Sequence, residues 1–161
     1  MKVLRALLTS AVFATAGLLA VAGSAQAAPP QAVVVEDRIL PQGDYCTNFA
    51  VHVVVYSASS DEHHPGFATG PGYAVVTNTT SNKSIRYNVS GPGTFTVNPD
   101  GGFSVSARGT NLFWTTKANS YPGVPQISYT SGPVSFTVAG SGKTTAYSHS
   151  GATTDVCAAL S

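Results

Sequence analysis

The 161-residue chain carries eight Lys and Arg against seven Asp and Glu, a net charge of +1, and only 9% of its residues are charged. So few cations, none of them clustered, leave no electrostatic footprint for a phosphate backbone or an anionic lipid surface, so neither nucleic acid nor membrane is an expected partner. Abundant Ser, Thr and Gly instead fit a β domain whose solvent faces are dressed with hydroxyls.

Residues 1–27 have the three parts of a signal peptide: a basic start with Lys2 and Arg5, an apolar run from Ala6 to Val21, and the small-residue site Ala25-Gln26-Ala27. Thr9, Ser10, Thr15 and Gly17 interrupt the run, which is short for a bilayer span and is followed by Pro29-Pro30, so cleavage after Ala27 is expected rather than anchoring. No cysteine stands at the cleavage site to take a lipid, and the predicted localisation is secreted and extracellular. Cleavage leaves 134 of the 161 residues, a common size for one domain. In an oxidising compartment Cys46 and Cys157 are expected to form a disulfide rather than remain free or pair between molecules.

Residues 28–44 hold Pro29, Pro30, Pro41 and Gly43 around the short apolar run Ala32 to Val35, and read as a flexible leader with at most one edge strand. The β domain is predicted over 45–161. It opens on Thr47 to Tyr56, where Phe49, Val51, Val53 and Val55 form one face and Ala50, His52, Val54 and Tyr56 the other. Apolar residues on both faces predict a central, covered strand. Ser57 to Gly72 reads as a long surface loop.

Tyr73 to Arg108 reads as two successive hairpins joined by the corner Gly91-Pro92-Gly93. Tyr73, Val75 and Thr77 alternate with Ala74, Val76 and Asn78, and Ile85, Tyr87 and Val89 with Arg86, Asn88 and Ser90, the period of half-buried strands. Phe95 and Val97 then share a face with Phe103, Val105 and Ala107 across the turn Asn98-Pro99-Asp100-Gly101. Gly109 to Trp114 follows, then a loop from Thr115 to Gln126 in which Pro122 and Pro125 forbid a central strand. Ile127 to Thr130, Pro133 to Val138 and Thr144 to His149 read as strands, and Ala152 to Leu160 as a last strand or a short helical turn. With no sustained helical period, about eight short strands imply an all-β fold, a single antiparallel β-sandwich of Ig-like or similar type, with a small barrel as the alternative.

The opening Cys46-x-x-Phe49-x-Val51, the run from Thr77-Asn78 to Lys83-Ser84, Asn88-Val89-Ser90-Gly91-Pro92-Gly93, the turn Asn98-Pro99-Asp100-Gly101 and the closing Thr154-Asp155-Val156-Cys157-Ala158-Ala159-Leu160 resemble an uncharacterised family of small secreted actinobacterial all-β proteins with two cysteines. The likeness covers most of Tyr45 to Leu160. It implies scaffold, export and a bacterial source, and it carries no functional residue with it.

Several stretches invite a chemical reading. Asp61-Glu62-His63-His64 offers imidazoles and carboxylates suited to zinc or copper, but neighbours in sequence point apart and would need a distant ligand such as His52 or His149, so no metal is expected. Ser, His and Asp are all present, yet no G-x-S-x-G elbow marks a nucleophile. Gly140-Ser141-Gly142-Lys143-Thr144 lacks the first glycine of a phosphate loop, has Thr137 in its place, and is flanked by strands, so it reads as a hairpin turn. Three Asn-x-Ser/Thr triplets, at Asn78, Asn82 and Asn88, match the glycosylation acceptor pattern, which so Ser/Thr-rich a chain produces by chance and which the bacterial source implied by the resemblance leaves without weight.

Phe113-Trp114, with Tyr121 in the following loop and Tyr129 beyond, is the best binding feature, because flat aromatic faces stack on sugars or take apolar groups of a protein partner. The reading is a secreted, monomeric, non-enzymatic binding module without cofactor, whose ligand is a glycan or an extracellular protein. The alternatives are a structural or coat-type protein and a small hydrolase. A binding module predicts Trp114 partly exposed beside Tyr121, a structural protein predicts it buried without a pocket, and a hydrolase predicts His52 or His149 bridging a serine and a carboxylate.

Overall fold

Alternation of apolar with hydroxyl residues builds strand after strand along this chain, and the computed structural model describes residues 32–57, 67–68 and 71–161. The signal segment 1–27 and the cluster at 61–64 lie outside the described residues. Twelve strands among the described residues form three antiparallel four-stranded sheets, none closed into a barrel. The fold is all-β and sandwich-like, with more strands than the turn signals suggested.

The first sheet has the order β1 (Val33–Leu40), β2 (Val51–Ser57), β4 (Gly72–Asn78), β5 (Ser84–Val89). Its inner residues Leu40, Val51, Val53, Val55, Ala74, Val76 and Val89 are all at most 2% exposed. They pack with Trp114, Ile127, Val156 and Leu160 into one core. β1 occupies much of the stretch expected to be a flexible leader. It pairs with β2 from Val33↔Ser57 to Leu40↔Val51, with a register shift between Val34 and Glu36. That irregularity breaks the simple alternation, leaves Val33, Val34 and Ile39 exposed and turns Glu36 inward, so the strand lacks the pattern that would announce it.

The third sheet has the order β11 (Thr144–His149), β10 (Val134–Val138), β7 (Phe103–Ala107), β6 (Gly93–Val97). The corner predicted at Gly91-Pro92-Gly93 carries the chain from β5 to β6, and Gly91 adopts φ +140, where a Cβ would also meet the Arg108 carbonyl oxygen at 1.9 Å. Inside this sheet Val105, Ala107, Val134, Phe136 and Val138 form a second core.

Between them lies the middle sheet, in the order β12 (Thr153–Asp155), β9 (Ile127–Ser131), β8 (Thr110–Trp114), β3 (Phe67–Ala68). Leu112 and Trp114 of β8 join the first core, while Phe113 joins the second. This explains the unbroken triplet Leu112-Phe113-Trp114: the strand is covered on both faces. The middle sheet also buries Asn111, Ser128 and Thr130, each at most 1% exposed.

The tail is both of the things expected of it, since β12 leads into α1 (Val156–Leu160), whose N-cap Asp155 accepts a hydrogen bond from the Ala158 amide. Cys46 and Cys157 are joined, 111 residues apart in sequence, which ties α1 to the turn before β2.

Candidate functional site

The register of the third sheet aligns its outward side chains across all four strands. Thr94, Ser106, Ser135 and Ser148 are successive cross-strand partners and make one row; Thr96, Ser104, Thr137 and Ala146 make a second. Neighbours within a row lie about 5 Å apart and the rows about 7 Å apart, by ordinary strand geometry. These residues line a cleft of about 330 Å³. A smaller hollow of about 120 Å³ extends it past Ser135 and Ser148 to Pro133 and Ser150.

No Asp, Glu, Lys or Arg occurs in any of the four strands. Ser104 Oγ lies 3.1 Å from Thr137 Oγ1 and donates to Asn98 Oδ1 at 3.3 Å, and Thr94 Oγ1 donates to the Ser106 carbonyl at 3.4 Å. Ser106, Ser135 and Ser148 are exposed and turn their hydroxyls to solvent. Each hydroxyl can donate one bond and accept two. The face is therefore a neutral array of donors and acceptors, backed by the aromatic core beneath it.

One end of this sheet is fastened by Asp100. Its Oδ1 accepts from the Gly102 amide at 3.0 Å and its Oδ2 from the Gly140 amide at 3.1 Å, which joins the β6–β7 turn to the β10–β11 turn. Those amides, Gly102 first, hold the carboxyl below its ordinary value. The turns approach so closely that a Cβ on Gly102 would meet the Val138 carbonyl oxygen at 2.1 Å, and one on Gly140 the Asp100 carbonyl oxygen at 2.1 Å.

The four aromatic residues singled out in the sequence do not share one surface. Phe113 and Trp114 are 6% and 4% exposed and point to opposite cores. Both border a pocket of about 220 Å³ with Tyr45, Phe103, Phe136, Thr116 and Asn119. Tyr121 is half-buried and stacks 6.2 Å from Tyr147, a residue that also borders the hydroxyl cleft and whose phenol is pushed up by burial. Tyr129 leans on Tyr87, ring centroids 4.7 Å apart, and donates to the Asn88 carbonyl at 2.9 Å. Burial, and next the neighbouring Tyr129, raise the Tyr87 pKa. Trp114 thus combines the burial expected of a structural residue with a pocket at its side.

His52 Nε2 lies 2.7 Å from Asp37 Oδ1 on the outer face of the first sheet. His149 Nε2 lies 3.1 Å from the Ser131 carbonyl oxygen and its Nδ1 3.2 Å from Thr153 Oγ1. In these contacts neither ring links a serine hydroxyl to a carboxylate. Among the described residues no three His, Cys, Asp or Glu side chains gather as metal ligands, and no helix is long and apolar enough to cross a membrane.

Sequence reasoning did not single out the outer face of the first sheet. There Tyr56 and Tyr73 are direct cross-strand partners with rings stacked 4.6 Å apart, and the Arg86 guanidinium carbon sits 3.6 Å from the centre of the Tyr73 ring. The available signal was the alternation that puts Tyr56 with Val54 and Tyr73 with Val75; the register that brings the two tyrosines together was not in it.

Protein-family models, curated proteins and solved structures were compared with the chain, and none matches.

Proposed function

We propose that the protein is a secreted, non-enzymatic binding module that holds a neutral glycan in the hydroxyl cleft of the third sheet. The observation that carries this reading is the pair of cross-strand rows, Thr94-Ser106-Ser135-Ser148 and Thr96-Ser104-Thr137, over a cleft of about 330 Å³ with no charged residue in any contributing strand. A charged ligand entering such a cleft would lose hydration without a countercharge, whereas a polyol exchanges its water hydrogen bonds for equivalent ones. The rigid sheet keeps the serines and threonines in place before the ligand arrives, which lowers the ordering cost of binding.

The export signal over residues 1–27, the resemblance to small secreted actinobacterial proteins and the disulfide support a location where polysaccharide is abundant. No cofactor enters this reading. Titration of the isotopically labelled protein with neutral cello-, xylo- and manno-oligosaccharides tests it. At least one should shift the amides of β7 and β10 in a saturable way, and Ser106→Val with Ser135→Val should weaken that binding at least about tenfold while the fold is kept. Shifts confined to Thr116, Asn119 and the Trp114 indole would move the ligand to the aromatic pocket, and no shift with any of the three would overturn the reading.

A further inference from the structure

The outer face of the first sheet has the opposite chemistry. Its register sets up three cross-strand rows: Asn88-Tyr73-Tyr56-Val34, Arg86-Val75-Val54-Asp37 and Ser84-Thr77-His52-Ile39. Arg86 and Asp37 therefore stand at opposite edges of the face, about 14 Å apart by strand spacing, with two valines between them. Asp37 is answered by His52 at 2.7 Å. Arg86 is exposed and has no carboxylate partner among the described residues.

Its guanidinium is nevertheless not loose. Its carbon sits 3.6 Å from the centre of the Tyr73 ring, itself stacked on Tyr56, and cation–π attraction favours that position. A guanidinium placed over a ring keeps its N–H groups for other partners, and its planar fork matches a carboxylate through two parallel bonds.

What surrounds this edge decides between kinds of ligand. Tyr73 has Tyr56 against one ring face and Arg86 against the other, so it offers no free face to a sugar ring. Val34 and Ile39, 52% and 56% exposed, add aliphatic surface on the same side as Val54 and Val75. Tyrosine and arginine enclosed by aliphatic side chains is the composition of the centre of a protein interface. We infer that the Tyr56–Tyr73–Arg86 stack is a second binding site, independent of the hydroxyl cleft, that receives an Asp or Glu carboxylate of a protein partner, with apolar side chains of that partner covering Val54 and Val75.

The test uses the purified protein labelled with ¹⁵N and a hexapeptide that alternates glutamate and leucine, with its glutamine counterpart as control. The glutamate peptide should shift the Arg86 Nε–H resonance saturably and bind at least about fivefold more tightly than the glutamine peptide. Arg86→Lys keeps the charge but lacks the planar fork, and Tyr73→Ala frees the guanidinium, so each should weaken binding at least about fivefold. Arg86 is exposed and Tyr73 only half-buried, so both variants keep the fold, which an unchanged Tm verifies. Equal affinity for the two peptides, or full affinity in Arg86→Lys, overturns the inference. So does tri-galacturonate moving the Arg86 resonance as strongly as the glutamate peptide, because the site would then take an acidic glycan. Neutral oligosaccharide binding at Ser106 and Ser135 is untouched by any of these results, so the two readings fail separately.

Discussion

The first and third sheets are built alike, four antiparallel strands with one side in a core, and they reverse the placement of their aromatic residues. The first sheet is mostly aliphatic within, through Leu40, Val51, Val53, Val55 and Val76 with Tyr87 beside them, and carries Tyr56, Tyr73, Arg86 and the Asp37–His52 pair outside. The third is aromatic within, where Phe136 touches Phe113 at 4.6 Å and Phe103 at 6.3 Å, and carries only hydroxyls and Ala146 along its outer rows. Strand alternation decides which side a residue faces, and the residue types then decide what each side can do. Two sheets of one shape thereby offer two unrelated surfaces.

The largest expected effect tests whether the two cores stand on different supports. The Cys46–Cys157 bridge holds the first core, since Cys46 belongs to it and α1 inserts Val156 and Leu160 there. Replacing both cysteines by serine is expected to cost about 4–5 kcal/mol on the chain-entropy account of a loop this long. Urea unfolding measures the cost, and hydrogen exchange should show β1 and α1 losing protection before β7 and β10. Simultaneous loss in all of them would break the distinction between the cores.

Next in size is Phe136→Ala, which removes the ring at the centre of the third sheet and is expected to cost about 3–4 kcal/mol by chemical denaturation. It should loosen the hydroxyl rows while leaving the Tyr56–Tyr73 stack intact.

The smallest effect depends on pH and concerns the third sheet alone. Asp100 has a folded pKa below its ordinary 3.8 because the Gly102 and Gly140 amides favour the carboxylate. A lowered folded pKa means that the stabilisation is complete above the ordinary carboxylate range and is lost as pH falls through the lowered value. The Gly102 and Gly140 amide shifts should titrate together with a midpoint below 3.8, and Asp100→Asn should abolish that titration without altering the first sheet.

Much of this was legible in the chain. The two hairpins between Tyr73 and Ala107, the corner at Gly91 and the disulfide follow from period-two patterning, turn chemistry and cysteine arithmetic, while the tail, readable as either a strand or a helical turn, holds both. β1 was legible only in part: the leader allows for one edge strand, but a register irregularity and exposed valines hide its extent to Leu40. The middle sheet was not legible as a layer, although its strand from Ile127 to Thr130 was. The two-sided apolar pattern of β2 suggested cover on both faces, yet His52, Val54 and Tyr56 are only half-buried. The strand enclosed on both sides is β8, and its partner β9 buries Ser128 and Thr130, polar residues that do not mark a covered strand. Both candidate sites depend on register: β7 and β10 pair directly although β8 and β9 separate them in sequence, and nothing local to Ser104 or Thr137 announces that their hydroxyls will lie 3.1 Å apart.

The covalent link between Cys46 and Cys157 also determines how the molecule carries mechanical load. Tension entering before Cys46 and leaving after Cys157 crosses the sulfur bridge and bypasses everything between them. The 111-residue span, which would otherwise pay out nearly 400 Å of contour at about 3.5 Å per residue, stays slack. Among the described strands only β1 lies in the line of pull, so a tethered molecule would surrender that strand under force and keep both the hydroxyl rows and the tyrosine–arginine stack in working order.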